Sequence, residues 1–133
     1  MQTFEVQTRQ HSDFHEITSD VAGCVAKSGL KQGSVMVYIP HTTAGITLNE
    51  NADPDVKHDM LASLEKMVPW EQSHFRHGEG NSAAHIKASM MGFSAHVPIR
   101  DGRMALGTWQ GIYLCEFDGP RTRKVFVTVF AEA

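Results

Sequence analysis

Apolar and polar residues alternate near both ends of the chain, as they do in β-strands. Phe4 and Val6 alternate with polar neighbours, which predicts a half-buried strand over residues 3–8. Short apolar stretches, several of them β-branched, predict further strands at 34–39, 44–48, 94–99, 104–109, 112–117 and 124–130. The strand at 124–130 is apolar on both faces, which indicates that a second layer or a neighbouring subunit covers it.

End signals predict three helices between these strands. Thr18 or Ser19 can cap the first helix, and Gly29 can end it in the left-handed conformation. Asp53 and Pro54 form a strong start for the second helix, because the aspartate accepts unpaired N–H groups and proline fits the first turn. The apolar positions of this helix recur at helical spacing: Val56, Met60, Leu64 and Met67.

The third helix follows a polar, glycine-containing stretch at 70–80 that predicts a loop. Asn81 or Ser82 can cap this helix, and its apolar residues Ile86 and Met90 are predicted to face inward. Beyond the helix the pattern returns to strands joined by tight turns. The order of elements predicts an α+β fold with a largely antiparallel sheet and about three helices.

Length and composition indicate a single small domain that spans residues 1–133. The net charge of −3 argues against a nucleic-acid-binding domain, which normally carries a basic excess. Two cysteines are too few for a disulfide scaffold and are typical of a reducing compartment. No apolar run approaches a membrane span, and the first residues lack a secretion signal. We therefore expect a soluble, cytoplasmic protein with no membrane or nucleic-acid partner.

Histidine is enriched, with eight residues in the chain. Histidine titrates near neutral pH and is the commonest metal ligand, so these positions are candidates for chemistry. The alternative interpretation is that most of them are ordinary surface residues.

The first candidate segment comes directly after a predicted buried strand, where binding groups are often placed. It offers a base, a hydroxyl donor, amides and a carboxylate through His41, Thr42, Asn49, Glu50 and Asn51. The alternative is a solvated loop in which these side chains cap turns.

The second candidate segment combines two glycines with the start of the third helix. Gly78 and Gly80 precede Asn81, and glycines before a helix N-terminus expose backbone N–H groups to an anion. His77 can add a charge-assisted contact to a phosphate, and His85 faces the same place if the loop folds back. The alternative for His85 is a hydrogen bond within the protein.

The third candidate segment contains Trp109 and, further along, Arg121. Trp109 lies between two glycines and can form the wall of a pocket for a planar ring, although tryptophans more often pack in a core. Arg121 can bind a phosphate through two hydrogen bonds, or it can belong to an exposed turn.

These segments also carry a family resemblance. The motifs PHTTAGITLNENADPDV at 40–56, RHGEGNSAAHIKASMMG at 76–92 and PIRDGRMALGTWQGIYLCEFDGPR at 98–121 resemble the YjbQ-like family, also called the secondary thiamine-phosphate synthase family. The resemblance extends from about residue 4 to 129. It implies a compact α+β homotrimer with weak thiamine-phosphate synthase activity, which joins a hydroxymethylpyrimidine diphosphate to a thiazole phosphate and releases pyrophosphate.

The resemblance places family motif residues at His41, at 49–51, at His77, at His85 and at 107–110. The family motif usually has a larger polar residue where this chain has a glycine directly after His77. This glycine adds backbone freedom beside the histidine.

We predict that His41, His77 and His85 converge on one site, which holds a divalent metal such as zinc or magnesium or acts as an acid–base cluster. His41, His85 and Glu50 are the candidate catalytic residues, and Glu50 is expected to orient a histidine or activate water. The expected partners are a small phosphorylated molecule and further copies of the chain. The alternative function is a binding or regulatory module without turnover, which the same site would serve.

Overall fold

Eight strands and three helices make up the structure, a computed structural model that describes residues 1–133. In chain order they are β1 (Gln2–Gln7), β2 (Asp13–Glu16), α1 (Thr18–Ser28), β3 (Gly33–Tyr38), β4 (Ala44–Glu50), α2 (Pro54–Met67), α3 (Ser82–Met91), β5 (Ser94–Arg100), β6 (Arg103–Met104), β7 (Gln110–Glu116) and β8 (Thr122–Ala131). The sequence pattern does not predict β2, which has only four residues.

The strands form two sheets. Sheet A has the order β1-β8-β3-β5-β6, and sheet B has the order β2-β7-β4. In sheet A, Val35 lies opposite Val129 on one side and Val97 on the other, so the central strands align their β-branched residues. Every strand pairing is antiparallel, which confirms the predicted α+β fold with antiparallel sheets and three helices.

The main core lies between the two sheets, and α1 packs against it. Inward and outward residues alternate along the strands, so each strand buries one face here. The buried residues are mainly branched aliphatic: Val35, Val37, Val97, Ile99, Val125 and Val127 from sheet A, Ile46, Ile112 and Leu114 from sheet B, and Val21 and Val25 from α1.

The other face of sheet B packs against α2 and α3, and the residues between α3 and the sheet are small. Gly45 in β4 shows how closely the helix approaches the sheet: a Cβ atom at this position would lie 2.7 Å from the carbonyl oxygen of Gly92, which ends α3. Ala84 and Ala88 fit this close approach and are fully buried. The prediction that Ile86 and Met90 face inward is wrong, since both side chains are exposed.

The helix ends follow the predicted signals in part. Gly29 ends α1 in the left-handed conformation, and the Asp53 carboxylate accepts from the Asp55 N–H at 2.9 Å, as predicted. Neither predicted cap residue caps α1; the Thr18 hydroxyl instead accepts from the Ile112 N–H and thereby fixes α1 to β7. No helix is long and apolar enough to cross a membrane.

The strand predicted at 104–109 is much shorter in the structure. Only Arg103 and Met104 pair with β5, and the chain then forms a turn. The Gln110 side chain closes this turn by accepting from the Gly107 N–H at 2.9 Å. The glycine and this local hydrogen bond favour a turn over a strand.

The outer face of sheet A has no covering layer. Tyr38 and Phe130 are exposed by 42% and 47%, and the rings of Tyr38 and Phe126 stack at 6.4 Å between centroids. This face is the second apolar side of β8 that the sequence pattern predicts. Within one chain it stays open to solvent.

Candidate functional site

A cleft of about 570 Å³ opens at the start of α3. Its walls come from the loop before the helix and from the first turns of the helix. The lining residues are His74, Phe75, Arg76, His77, Ser82, His85 and Ile86. They include an arginine, three histidines and two apolar side chains, but no carboxylate. This composition suits an anion that carries an aromatic or apolar part.

His77 and His85 lie next to each other in this cleft, with ring centroids 5.5 Å apart and the rings nearly perpendicular. A turn brings them together: the Gly80 N–H donates to the His77 carbonyl at 3.0 Å, and Gly80 has a φ of 72°. Only glycine adopts this conformation without strain. The Glu79 carboxylate lies 4.0 Å from the His77 imidazole and is mostly exposed.

The first turn of α3 has unpaired backbone donors. Asn81 precedes the helix and is of a type that caps helices, yet its side chain makes no capping bond. Its Nδ2 donates to the Asp118 carboxylate at 2.8 Å, and its Oδ1 is buried without a partner. The N–H groups of Ser82 and Ala83 have no acceptor in the protein. Ala83 is fully buried, whereas Ser82 lines the cleft, so the Ser82 N–H is the donor that is suited to bind an anion.

Arg121, predicted to bind phosphate, is instead bonded to Asp118. Its Nη2 lies 3.0 Å from the Asp118 carboxylate, and its Nε donates to the Asp118 carbonyl at 2.9 Å. The Asp118 N–H in turn donates to Glu116. Because both Nε and Nη2 of Arg121 bond to Asp118, its guanidinium is less available to a ligand than the sequence suggests.

His41 lies elsewhere, at the end of β3. Its Nε2 accepts from the Lys124 N–H at 2.8 Å, so this nitrogen carries no proton. Burial is the main cause that lowers the pKa of His41 below its usual value, and the nearby Arg123 guanidinium is the second cause. Thr42 is exposed beside it, at the edge of a separate cavity of about 430 Å³. His41 is therefore neutral and already hydrogen-bonded.

A buried ion pair lies next to His41 and is absent from the sequence predictions. Glu116 and Arg123 are 0% and 1% exposed, and their side chains form two hydrogen bonds. Arg123 also donates to Thr43, and Thr8 donates to Glu116 at 2.7 Å. Burial opposes the ionisation of Glu116, but the hydrogen bonds, led by that from Arg123, outweigh it and lower the pKa. No local motif indicates this pair.

The predicted three-histidine metal site does not form within one chain. The chain contains no group of three or more His, Cys, Asp or Glu residues placed to hold a metal ion. His77 and His85 are neighbours at the start of α3, whereas His41 accepts a hydrogen bond from the Lys124 N–H in β8. Two imidazoles fall short of the three protein ligands that a catalytic zinc uses. A site made of all three histidines would need His41 from a second chain.

The other predicted site residues do not line the cleft. Glu50 orients no histidine in this chain; its carboxylate accepts from the Asp53 N–H at 3.2 Å. Asn49 accepts from the next backbone N–H, and the Asn51 N–H donates to the carbonyl of Trp109. The Trp109 side chain is 62% exposed and lines none of the cavities. Within one chain these four residues form a separate region.

Three cleft residues, His74, Phe75 and Arg76, are missing from the predicted site residues. All three belong to the loop at 70–80, whose path no local pattern predicts. Ile86 also lines the cleft, although the sequence pattern predicts that it faces inward. Arg76 directly precedes His77, and a basic residue beside a candidate phosphate-binding histidine is a usable signal. Phe75 carries no comparable signal.

Comparison with known proteins identifies relatives over the full chain. The model of the family described as "UPF0047 protein YjbQ-like" matches residues 2–132. UPF0047 protein YugU of Bacillus subtilis is 50% identical over 127 residues, which cover 96% of each chain. UPF0047 protein MJ1081 of Methanocaldococcus jannaschii is 45% identical over 129 residues, covering 97% of this chain and 93% of the relative.

Solved structures have the same fold. An uncharacterized conserved protein of the YjbQ/UPF0047 family from Clostridium acetobutylicum is 51% identical, with a TM-score of 0.95 over 98% of this chain and 100% of that one. The conserved hypothetical protein TT1486 from Thermus thermophilus is 38% identical, with a TM-score of 0.91 at the same coverage. Sequence and fold agree from end to end, and the chain belongs to the UPF0047 (YjbQ-like) family.

Proposed function

We propose that the protein binds a small phosphorylated molecule in the cleft at the start of α3 and acts as a weak thiamine-phosphate synthase. One observation carries the proposal: Arg76, His77 and His85 line one cleft together with Ser82, whose N–H is unpaired at the start of α3. These groups complement the charge of a diphosphate. The choice of reaction is supported by the resemblance of the three sequence motifs to the secondary thiamine-phosphate synthase family.

The arginine of the cleft is free to meet a ligand. Arg76 forms no ion pair within the chain, so its guanidinium can bind a phosphate through two hydrogen bonds. His77 and His85 line the same cleft and can donate further hydrogen bonds to the ligand.

The apolar side chains of the cleft suit the organic part of the ligand. Phe75 offers a ring face on which a planar pyrimidine can stack, and Ile86 adds an apolar contact.

The proposed reaction breaks the bond between the pyrimidine methylene carbon and the diphosphate oxygen. The electron pair of this bond leaves with the diphosphate, and the lone pair of the thiazole nitrogen forms the new C–N bond. Arg76, His77 and the Ser82 N–H neutralise the departing charge, which is the main stabilisation such a reaction needs. His85 can donate a proton to the released oxygen.

A divalent ion is proposed to enter with the diphosphate. Magnesium is usually held by one or two carboxylates together with substrate phosphates. Glu79 is the carboxylate at the edge of the cleft. A zinc ion held by three histidines of one chain is not part of the proposal.

Isothermal titration with pyrophosphate, with and without magnesium, tests the binding proposal. We expect Arg76→Ala and His85→Ala each to weaken binding about tenfold or more, since hydrogen bonds to charged groups are lost. Arg9→Ala is the matched control, because Arg9 is exposed and lies outside the cleft. Equal affinities in all four proteins would contradict the proposed site.

A binding or regulatory module without turnover is the second candidate. It is favoured by the exposure of Arg76 and His77, because transfer of a reactive group requires that water be excluded. Incubation with both thiamine precursors and measurement of released pyrophosphate separates the two candidates. Release that requires both precursors and is lost in His85→Ala supports the synthase; binding without release supports the module.

We further propose that the chain assembles as a homotrimer through the outer face of sheet A. The proposal is supported by the open apolar face that contains Tyr38, Phe126 and Phe130. Exposed aromatic patches of this kind mark interfaces. Light scattering should give three times the chain mass at micromolar concentration, and Phe126→Glu should dissociate the assembly. A monomeric native protein would contradict it.

A further inference from the structure

We infer that the cleft at the start of α3 also hydrolyses phosphate monoesters and that His77 is the nucleophile; this inference rests on the phosphate site of the proposed function. Three neighbouring groups carry it. Arg76, directly before His77, forms no ion pair, and the His77 ring makes no hydrogen bond to the protein. The ring of His85 lies beside that of His77, with the centroids 5.5 Å apart.

The surroundings of His77 favour one of its ring nitrogens as a nucleophile. Among the three cleft histidines, His77 alone has a carboxylate within 4.0 Å, that of Glu79 at Nε2. A negative charge beside Nε2 favours the tautomer that carries the proton there, which leaves the lone pair on Nδ1. An imidazole with a free lone pair attacks phosphorus directly, whereas the hydroxyl of Ser82 would first need a base.

The other cleft residues supply what a phosphoryl transfer requires. Such a transfer depends mainly on positioning and on stabilisation of the charge of the phosphoryl oxygens. The Arg76 guanidinium can hold these oxygens through two hydrogen bonds, and the unpaired Ser82 N–H can donate another. His85 lies close enough to His77 to exchange a proton with a group bound there.

The reaction proceeds in two balanced steps. In the first step, the Nδ1 lone pair of His77 forms a bond to phosphorus, and the bond between phosphorus and the ester oxygen breaks. The electron pair of the broken bond stays on the ester oxygen, which takes a proton from His85 and leaves as an alcohol. In the second step, water attacks the phosphorus, His85 takes a proton from this water, and the electron pair of the P–N bond returns to Nδ1. Inorganic phosphate leaves, and both histidines regain their starting states.

The exposure of the cleft suits this reaction. Arg76 and His77 are exposed, and water is a reactant in hydrolysis, whereas it competes with the second substrate of a group transfer. Phe75 and Ile86 line the same cleft and can contact the organic part of an ester. The substrate class is therefore a phosphate monoester of an aromatic or apolar alcohol.

Incubation with para-nitrophenyl phosphate tests the inference through two readouts. These are the release of para-nitrophenol and the mass of the protein after an alkaline quench, which preserves phosphohistidine. We expect the wild type to release para-nitrophenol and to carry a phosphoryl group that peptide mapping locates at His77. His77→Asn should lose both signals. His58→Asn is the matched control, because His58 is exposed on α2 and lies outside the cleft, and it should keep both.

His85→Ala separates the two steps. Para-nitrophenolate leaves without a proton, so this variant should still accept the phosphoryl group. Without its base it should lose the group about 10²–10⁴-fold more slowly, and the phosphorylated protein should accumulate. Urea unfolding verifies that the variants fold.

Three results would overturn the inference: release of para-nitrophenol at the same rate in His77→Asn as in wild type, a phosphoryl group on Ser82 or any residue other than His77, or no accumulation in His85→Ala. Binding of pyrophosphate by a wild type that does not hydrolyse the ester would also overturn it and would leave the proposed binding site intact. Phosphorylation of His77 in a protein that releases no pyrophosphate from the thiamine precursors would support the inference and overturn the synthase alone.

Discussion

His41 and the pair of His77 and His85 are the same type of side chain in two different surroundings. His41 accepts a backbone hydrogen bond at Nε2 beside the buried Glu116–Arg123 pair, so this nitrogen already contributes to the fold. The two cleft histidines lie side by side in an open cavity, together with Ser82, whose backbone N–H is unpaired. A histidine whose ring nitrogen accepts a backbone hydrogen bond stabilises the chain, whereas histidines without a hydrogen bond to the protein are available to a ligand.

The largest expected effect is in the region around His41. Removing one member of the buried ion pair, as in Glu116→Ala, leaves the Arg123 guanidinium buried without its partner. Such a change costs about 3–5 kcal/mol of unfolding free energy. Urea unfolding measures it.

Replacement of the whole pair is the matched control. Glu116→Leu/Arg123→Met removes both charges together, and buried pairs replaced in this way are often neutral in stability. If Glu116→Ala changed the unfolding free energy by less than about 1 kcal/mol, the ion pair would not be the structural element that we describe.

A smaller effect is expected in the loop that carries His77. Gly80→Ala forces a side chain into the left-handed conformation, at a cost of about 1–2 kcal/mol. The strain should also displace His77 and weaken pyrophosphate binding. Gly78→Ala is the matched control, because Gly78 has an ordinary φ and open space around it. Equal stability and equal pyrophosphate affinity of Gly80→Ala and Gly78→Ala would contradict the described turn.

The smallest effect concerns the pH dependence of stability. Because the pKa of His41 is lowered by folding, the unfolded chain binds a proton to this residue at higher pH than the folded chain does. The contribution of His41 to the free energy of unfolding is fully present above about pH 6.5. It is lost as the pH falls towards the pKa that His41 has in the folded chain.

His41→Gln tests this dependence, because glutamine can accept from the Lys124 N–H but does not titrate. Chemical unfolding at several pH values should show a smaller loss of stability on acidification in His41→Gln than in wild type. His58→Gln is the control, since His58 is an exposed residue of α2 and should leave the profile unchanged. Identical profiles for wild type and His41→Gln would rule out this role of His41.

Most of the fold is predictable from local pattern. The alternation in β1, β3 and β8 and the signals at Gly29 and Asp53 depend on neighbouring residues alone, and the structure agrees with them. The inward face of α3 is not predictable in this way. It depends on the close approach of Gly45, a residue that lies far away along the chain.

The candidate site is predictable only in part, for the same reason. The glycine turn and the helix start that bring His77 beside His85 are local features. The separation of His41 from this pair results from its bond to β8, and the turn of Asn81 towards Asp118 joins residues 37 positions apart. Contacts over such distances leave no periodic signal in the sequence.

Nuclear magnetic resonance of histidine side chains during titration with pyrophosphate tests the central claim most directly. If the cleft at the start of α3 is the phosphate site, the imidazole signals of His77 and His85 shift as pyrophosphate is added, because both side chains line this cleft. The His41 signals stay where they are. Shifts of His41 without shifts of His77 and His85 would contradict the account.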